Sequence, residues 1–281
     1  MSQPKVTISI PTFNSALFIE KCLHAITQQT YKNIEINIVD GGSTDETLLL
    51  AKEFHVQSVL TCRDSLLASR YEGVKQSEGE YILLLDSDQI LEKDTIERAV
   101  GEMKKKQVDM LVLEEKVYNP NTFIDKLFEA DRRLVHEIRD YSPFTGVVLP
   151  RFYRRKILLE AMNSIPKSVI KSVGGQDHSI IYYEVWQKTQ KVALINNAVF
   201  HIEPSSYWVL LKKFYRWGMT SNKAHNPRYD ELLQRKERFR TGLFKKGLFK
   251  ESIASIFLLF LKGVPYKFGY FRAKLSTKQH A

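Results

Sequence analysis

A chain of 281 residues can bury one large core, and 43% hydrophobic with 26% charged residues excludes a disordered polymer. Two cysteines, Cys22 and Cys62, make no disulfide framework and lack metal-ligand spacing, so both are expected reduced and buried. The net charge of +10 is unevenly placed: residues 1–118 carry 13 Lys+Arg against 19 Asp+Glu, and residues 119–281 carry 29 against 13. The basic half is therefore expected to meet phosphates, a lipid headgroup surface or nucleic acid, or else to be a solvated basic surface.

Met1 to Lys5 has no basic region leading into an apolar run, so a secretory signal is not expected and a cytoplasmic location is. Val6 to Ile10 reads as a strand ending at Pro11, and Ala16 to Gln28 as a helix with an apolar stripe of Phe18, Ile19, Leu23 and Ile26. Ile34, Ile36 and Ile38 alternate in a strand that stops at Asp40; Gly41-Gly42 turns, and Ser43 to Glu46 has capping-box form. Gln57–Leu60 reads as a strand, Ser65–Gln76 as a helix and Tyr81–Leu85 as a strand covered on both faces. Asp94 with Glu97 is expected to cap the next helix, and Met110–Leu113 is a further strand. Repeated strand–helix units predict a doubly wound α/β sheet, mostly parallel, with ligands beyond the carboxyl ends of the strands.

Beyond residue 119 the pattern predicts a helix over 123–138, a strand over 145–149 and a basic helix over 154–162. A helix over 177–187 and strands over 192–195 and 199–202 follow, then helices over 206–217 and 229–240. The longest apolar stretch, Ile253 to Leu261, is shorter than the roughly 20 residues a membrane span needs.

Asp86-Ser87-Asp88 directly after a buried strand places two carboxylates where only a positive partner makes them cheap. A hard cation, Mn²⁺ or Mg²⁺, with bound diphosphate would serve; the plainer alternative is a turn with solvated acids. Asp40 ends another strand and could accept hydrogen bonds from a nucleobase, with Gly42 and Ser43 letting a ligand approach the backbone. Pro11, Thr12 and Asn14, after the first strand, would form the neighbouring wall. No phosphate-cradling glycine loop of either common form occurs, so phosphate charge must be met by metal and basic side chains.

Pro11-Thr12-Phe13-Asn14, Val39 to Asp45, Ala68-Ser69-Arg70 and Gly79 to Asp88 occur in order, and together they resemble the nucleotide-binding half of family 2 glycosyltransferases. The resemblance implies the GT-A fold, a catalytic domain over 1–204 (nucleotide half 1–118, acceptor half 119–204) and a basic helical extension over 205–281. It implies that Asp40 meets the base, Asp86 the ribose or sugar, Asp88 the metal, and that Arg70 and Ser87 support the donor. Tyr71 stands where the family usually has Asn, and Gln176 where it usually has Glu. Asp177 keeps the carboxylate of the family's catalytic base, or else only caps its helix; His178 is expected to point elsewhere. His201 is implied at the metal or diphosphate, against a satisfied strand-end histidine. Lys213 and Arg216 resemble part of a signature of processive members and are read as phosphate contacts in a single-sugar enzyme.

Arg151, Arg154, Arg155 and Lys156 are expected to cluster near the acceptor. The tail sets Phe244, Phe249, Phe257 and Phe260 among Lys245, Lys246, Lys250 and Lys262, and residues 205–281 hold 17 Lys+Arg against 4 Asp+Glu. That pattern suits an interfacial helix on an anionic membrane, which would bring a lipid-linked acceptor within reach; the alternative is a helix packed on the catalytic domain. The expected function is inverting transfer of one sugar from a nucleotide-diphosphate donor to a lipid-linked or surface-glycan acceptor, with no nucleic-acid partner. A nucleotidyltransferase making sugar nucleotides, and a non-catalytic basic binder, are the rivals.

Overall fold

Valine, isoleucine and threonine fill strand β1 (Val6–Thr12), and every residue of it is buried, as a strand covered on both faces requires. The computed structural model describes residues 3–145, 148–204, 206–221, 226–237 and 247–278. The remaining strands are β2 (Ile34–Asp40), β3 (Ser58–Thr61), β4 (Tyr81–Leu84), β5 (Gln89–Leu91), β6 (Met110–Val117), β7 (Pro150–Arg154) and β8 (Val192–His201). They form an eight-stranded sheet of order β3-β2-β1-β4-β7-β6-β8-β5. Only β7 and β5 run against the others. β1 continues through Pro11 because past Ser9 it is paired only with β2, and proline is tolerated on such an edge.

The helices are α1 (Ile19–Thr27), α2 (Thr47–Ala51), α3 (Leu66–Lys75), α4 (Thr95–Lys106), α5 (Phe123–Ile138) and α6 (Arg155–Asn163). After them come α7 (Lys167–Ser172), α8 (Asp177–Trp186), α9 (Tyr207–Ser221), α10 (Pro227–Glu237) and α11 (Phe249–Lys278). Period-two alternation splits β4 between two cores. Tyr81 and Leu83 face α1 and α4, sharing a cluster with Leu23, Ile96 and Met103. Ile82 and Leu84 face α3, α6 and α8, sharing one with Leu67, Leu158 and Ile181. This two-sided burial is the doubly wound architecture.

Several local expectations are corrected. Ser43 does not cap α2: its hydroxyl donates to Asp40 Oδ1, and Asp45 instead accepts from the Thr47 N–H. Asp94 precedes α4 but spends its carboxylate on Arg98 at 2.9 Å. Thr145 lies in a turn, 148–149 have no regular structure and 146–147 lie outside the described residues; the strand is β7, five residues on, pairing β4 and β6. The two strands expected over 192–202 are one, β8, kept continuous by an irregularity opposite Leu113/Glu115 where Asn197 takes φ 49°. Of the helix expected over 229–240, α10 is described over Pro227–Glu237, and 238–246, with Phe244, Lys245 and Lys246, lie outside the described residues. Cys22 is buried as expected, whereas Cys62 is half-buried at the cavity wall.

Within the tail, Phe249–Lys278 form one long helix, α11, packed on α9 and α5. Leu258 is fully buried in a cluster with Val117, Ile124, Phe128 and Leu210, and a Cβ on Gly218 or Gly269 would run into the Tyr266 or Tyr215 carbonyl. The two backbones thus touch where only glycine fits. By length and composition Phe249–Leu275 suffices to cross a bilayer, against the expectation drawn from the apolar run alone.

Candidate active site

The carboxyl ends of β1 and β4, the start of α8, the end of β8 and one face each of α9 and α11 enclose a cavity of about 1200 Å³. Pro11, Thr12, Arg70, Asp86, Ser87, Asp88, Asp177, His201, Lys213 and Arg216 all line it. Asn14, Asp40, Gly42 and Ser43 do not; they stand at the end of β2 and in the loops after β1 and β2.

Asp40 is 1% exposed and its lone pairs are used locally. Oδ1 accepts from Thr12 Oγ1 (3.0 Å) and Ser43 Oγ (2.6 Å), and Oδ2 from the Gly42 and Ser43 amides, both 2.8 Å. Burial opposes its charge, but these bonds to Ser43, Gly42 and Thr12 hold its carboxyl below its ordinary value. Gly42 takes φ 94° to bring its amide round. Asn14, itself at φ 49°, accepts from the Thr44 amide at 2.9 Å and donates its own N–H to Ser43 Oγ at 2.9 Å. Ser87 donates to Ser15 Oγ at 3.0 Å, tying the β4 end to the loop after β1.

Arg70 is the hub. It projects from α3, is 1% exposed, and its fork bonds Asp177 through Nε and Asp86 through Nη2. Arg151, from β7, donates to the other oxygen of Asp86 at 2.8 Å. Burial would raise the Asp86 carboxyl, yet Arg151 and Arg70 hold it well below the carboxylate range. Asp177, in the first turn of α8 and 5% exposed, is likewise kept low, because the Arg70 charge outweighs its burial. It is ionised at neutral pH.

His178 does not point elsewhere. Its Nε2 touches Arg151 Nη1 and lies 4.0 Å from Asp86 and 3.9 Å from Asp177. Burial, then Arg151 and Arg70, lower its pKa from 6.5 to about 4, so the ring is neutral. The expected basic cluster dissolves: Arg151 enters the cavity, Arg154 pairs with Asp109 at 3.2 Å, and Arg155 donates to Ser77 at 2.8 Å.

At the far wall, His201 Nε2 stands 3.5 Å from Asp88 Oδ1, with Lys213 Nζ 4.0 Å from Asp88 Oδ2. His201 Nδ1 is 3.3 Å from Glu203, which pairs with Arg132, which in turn pairs with Glu115. Glu115 closes the chain onto Arg151 at 3.4 Å. Glu203 is buried and Arg132 and Glu115 half-buried; in the sequence only the polar letters at the end of β6 and one arginine of α5 hint at them. Among the described residues no cluster of three or more His, Cys, Asp or Glu could hold a metal. An Asp–His pair facing a cavity, with a carboxylate behind the histidine, still fits a Mn²⁺ or Mg²⁺ that completes its shell with diphosphate and water. Lys213, Arg216 and Trp217, three and four apart on α9, share one face toward the cavity.

Residues 7–165 match the family described as Glycosyl transferase family 2. The chain is 34% identical over 235 residues to the glycosyltransferase GlyA of Streptococcus pneumoniae serotype 4, covering 74% of this chain and 31% of that one. It is 27% identical over 276 residues to an uncharacterized glycosyltransferase of Rickettsia typhi, covering 94% and 77%. The chain thus spans about a third of the first of these relatives. In shape it is similar to S. aureus TarS 1–349 in complex with UDP-GlcNAc, with TM-score 0.58, 16% identity, and 98% and 92% of the two chains covered. It is also similar to glucosyl-3-phosphoglycerate synthase from Mycobacterium tuberculosis in complex with Mn²⁺, UDP and glucosyl-3-phosphoglycerate, with TM-score 0.55, 16% identity, and 85% and 82% covered. The ordered motifs, the matched span and the shared shape together place the chain in glycosyltransferase family 2, on the GT-A fold.

Proposed function

We propose that this protein moves a single sugar from a nucleotide-diphosphate donor to an acceptor, inverting the anomeric centre. The observation that carries it is three carboxylates, Asp86, Asp88 and Asp177, brought from distant segments to one cavity with Arg70 pairing two of them. Asp177 takes the acceptor hydroxyl proton as that oxygen bonds the anomeric carbon, while the opposite bond breaks and the diphosphate leaves with its electron pair. Lys213 and Arg216 meet the diphosphate charge, and Asp86 with Arg70 orients the ribose or sugar. Asp40 fixes the loop against which the base lies. A divalent cation held by Asp88 and His201 would supply charge neutralisation at the diphosphate.

The acceptor is lipid-linked, or a surface-glycan precursor, met at the cytoplasmic membrane face. Support comes from Ile256, Leu259 and Phe260 of α11, which give the cavity an apolar wall beside Lys213 and Lys267. Residues 1–204 act as the catalytic domain, and 205–281 complete its acceptor side. The test is a thermal-shift panel of UDP- and GDP-sugars with and without Mn²⁺ or Mg²⁺. One donor class should raise the melting point only with metal, and Asp88→Asn should remove the metal-dependent part; a panel with no shift overturns the assignment.

A further inference from the structure

Among the described residues, α11 leaves one face uncovered. Phe249, Ile253, Phe257, Phe260, Val264, Phe268, Phe271 and Leu275 are each 42–70% exposed. Their spacing of four, four, three, four, four, three and four residues is a helical stripe, about 39 Å long at 1.5 Å per residue. Phe123 of α5, 58% exposed, stacks edge-on to Phe257 and widens it. An apolar band of this length is more than a monomer's surface ordinarily carries. Lys250, Lys267, Arg272 and Lys274 are exposed beside it. Glu251 is the lone acid of the helix, and it pairs with Arg133 at 3.1 Å.

We infer that α11 lies flat on an anionic lipid bilayer, its phenylalanine stripe in the acyl boundary and its lysines and arginine at the headgroups. Charge decides the occupant. A second copy would bring the same cationic flanks together, whereas acidic headgroups complement them. The opposite side of α11 decides the geometry. Ser252, Ser255 and Leu258 are fully buried against protein, and Lys262 pairs with Asp131 at 3.7 Å. A membrane-spanning α11 would pull α5, with Asp131 and Arg132, into hydrocarbon. Docked in the plane, it keeps them in water. Phe260 belongs to both the stripe and the cavity wall, so the cavity opens where the bilayer begins. That last point rests on the glycosyl-transfer proposal; the docking itself does not.

The test is co-sedimentation of the full chain with phosphatidylcholine vesicles and with vesicles that also contain phosphatidylglycerol. A variant carrying I253S, F257S, F268S and F271S changes only exposed positions, and leaves Phe260 in place. The wild type should prefer the anionic vesicles and be released by alkaline wash. The variant should need about a hundredfold more lipid while keeping its melting temperature. Equal binding by the variant, no binding by the wild type, resistance to alkaline extraction, or a stripe-dependent dimer without vesicle binding each overturns the inference. Metal-dependent donor shifts measured on the same variant separate its failure from a failure of the catalytic assignment.

Discussion

Arg70 bridges the buried carboxylate of Asp177 and the half-buried one of Asp86, which would otherwise repel. Removing it leaves Asp86 and Asp177 near each other with less positive charge, so Arg70→Met should cost about 3–5 kcal/mol in urea unfolding. Lysine should restore little, because its point charge cannot serve two acids in a fork. Asp177→Asn should leave donor binding by calorimetry within about twofold and lower transfer by about 10²–10⁴. His178 gives a pH signature. Its folded pKa of about 4 lies below the ordinary 6.5, so its contribution is complete above 6.5 and is lost as pH falls and the unfolded chain takes up the proton. Between those limits stability should fall by at most about 1.4 kcal/mol per pH unit on its account. His178→Asn should flatten that limb, as followed by urea midpoints across the range. The carboxylates of the site were readable in the sequence because each ends a buried strand or opens a helix. The counter-charges were not: Arg151 meets Asp86 from 65 residues away and Arg132 meets Glu203 from 71, and no local pattern records such pairs.

At the scale of elements, burial on both faces made β4 and the start of β6 legible as apolar runs, while alternating Val and Ile marked β1 and β2. β7 was hidden because Pro150-Arg151-Phe152-Tyr153-Arg154 is neither an apolar run nor a strict alternation, and both of its arginines serve distant acids. α5 was read to its ends, and its Thr122 and Asp125 form a reciprocal capping box. Thr122→Ala should cost about 1 kcal/mol. The contact of α9 with α11 depends on bare backbone. Gly269→Ala would drive a methyl into the Tyr215 carbonyl and should lower stability by about 1–3 kcal/mol, with faster amide exchange in α11. The resemblance that located the donor side was silent here, since α11 lies beyond the span the family description matches.

For the molecule as a whole, the sheet runs across the division proposed at residue 118. β7 comes from the later segment yet sits between β4 and β6 of the earlier one. Residues 1–118 alone should therefore show no cooperative urea transition by circular dichroism, while the full chain unfolds through one. The same insertion sets an order on biosynthesis. On a ribosome the parallel group β3-β2-β1-β4 can close as soon as Leu84 emerges, but β6 must wait unpaired for Pro150–Arg154 to arrive and bridge it to β4. Asp177 emerges later still. Until then Asp86 has neither Arg151 nor Asp177 near it, so a ribosome-bound nascent chain halted before residue 150 holds a partial sheet and an incomplete cavity.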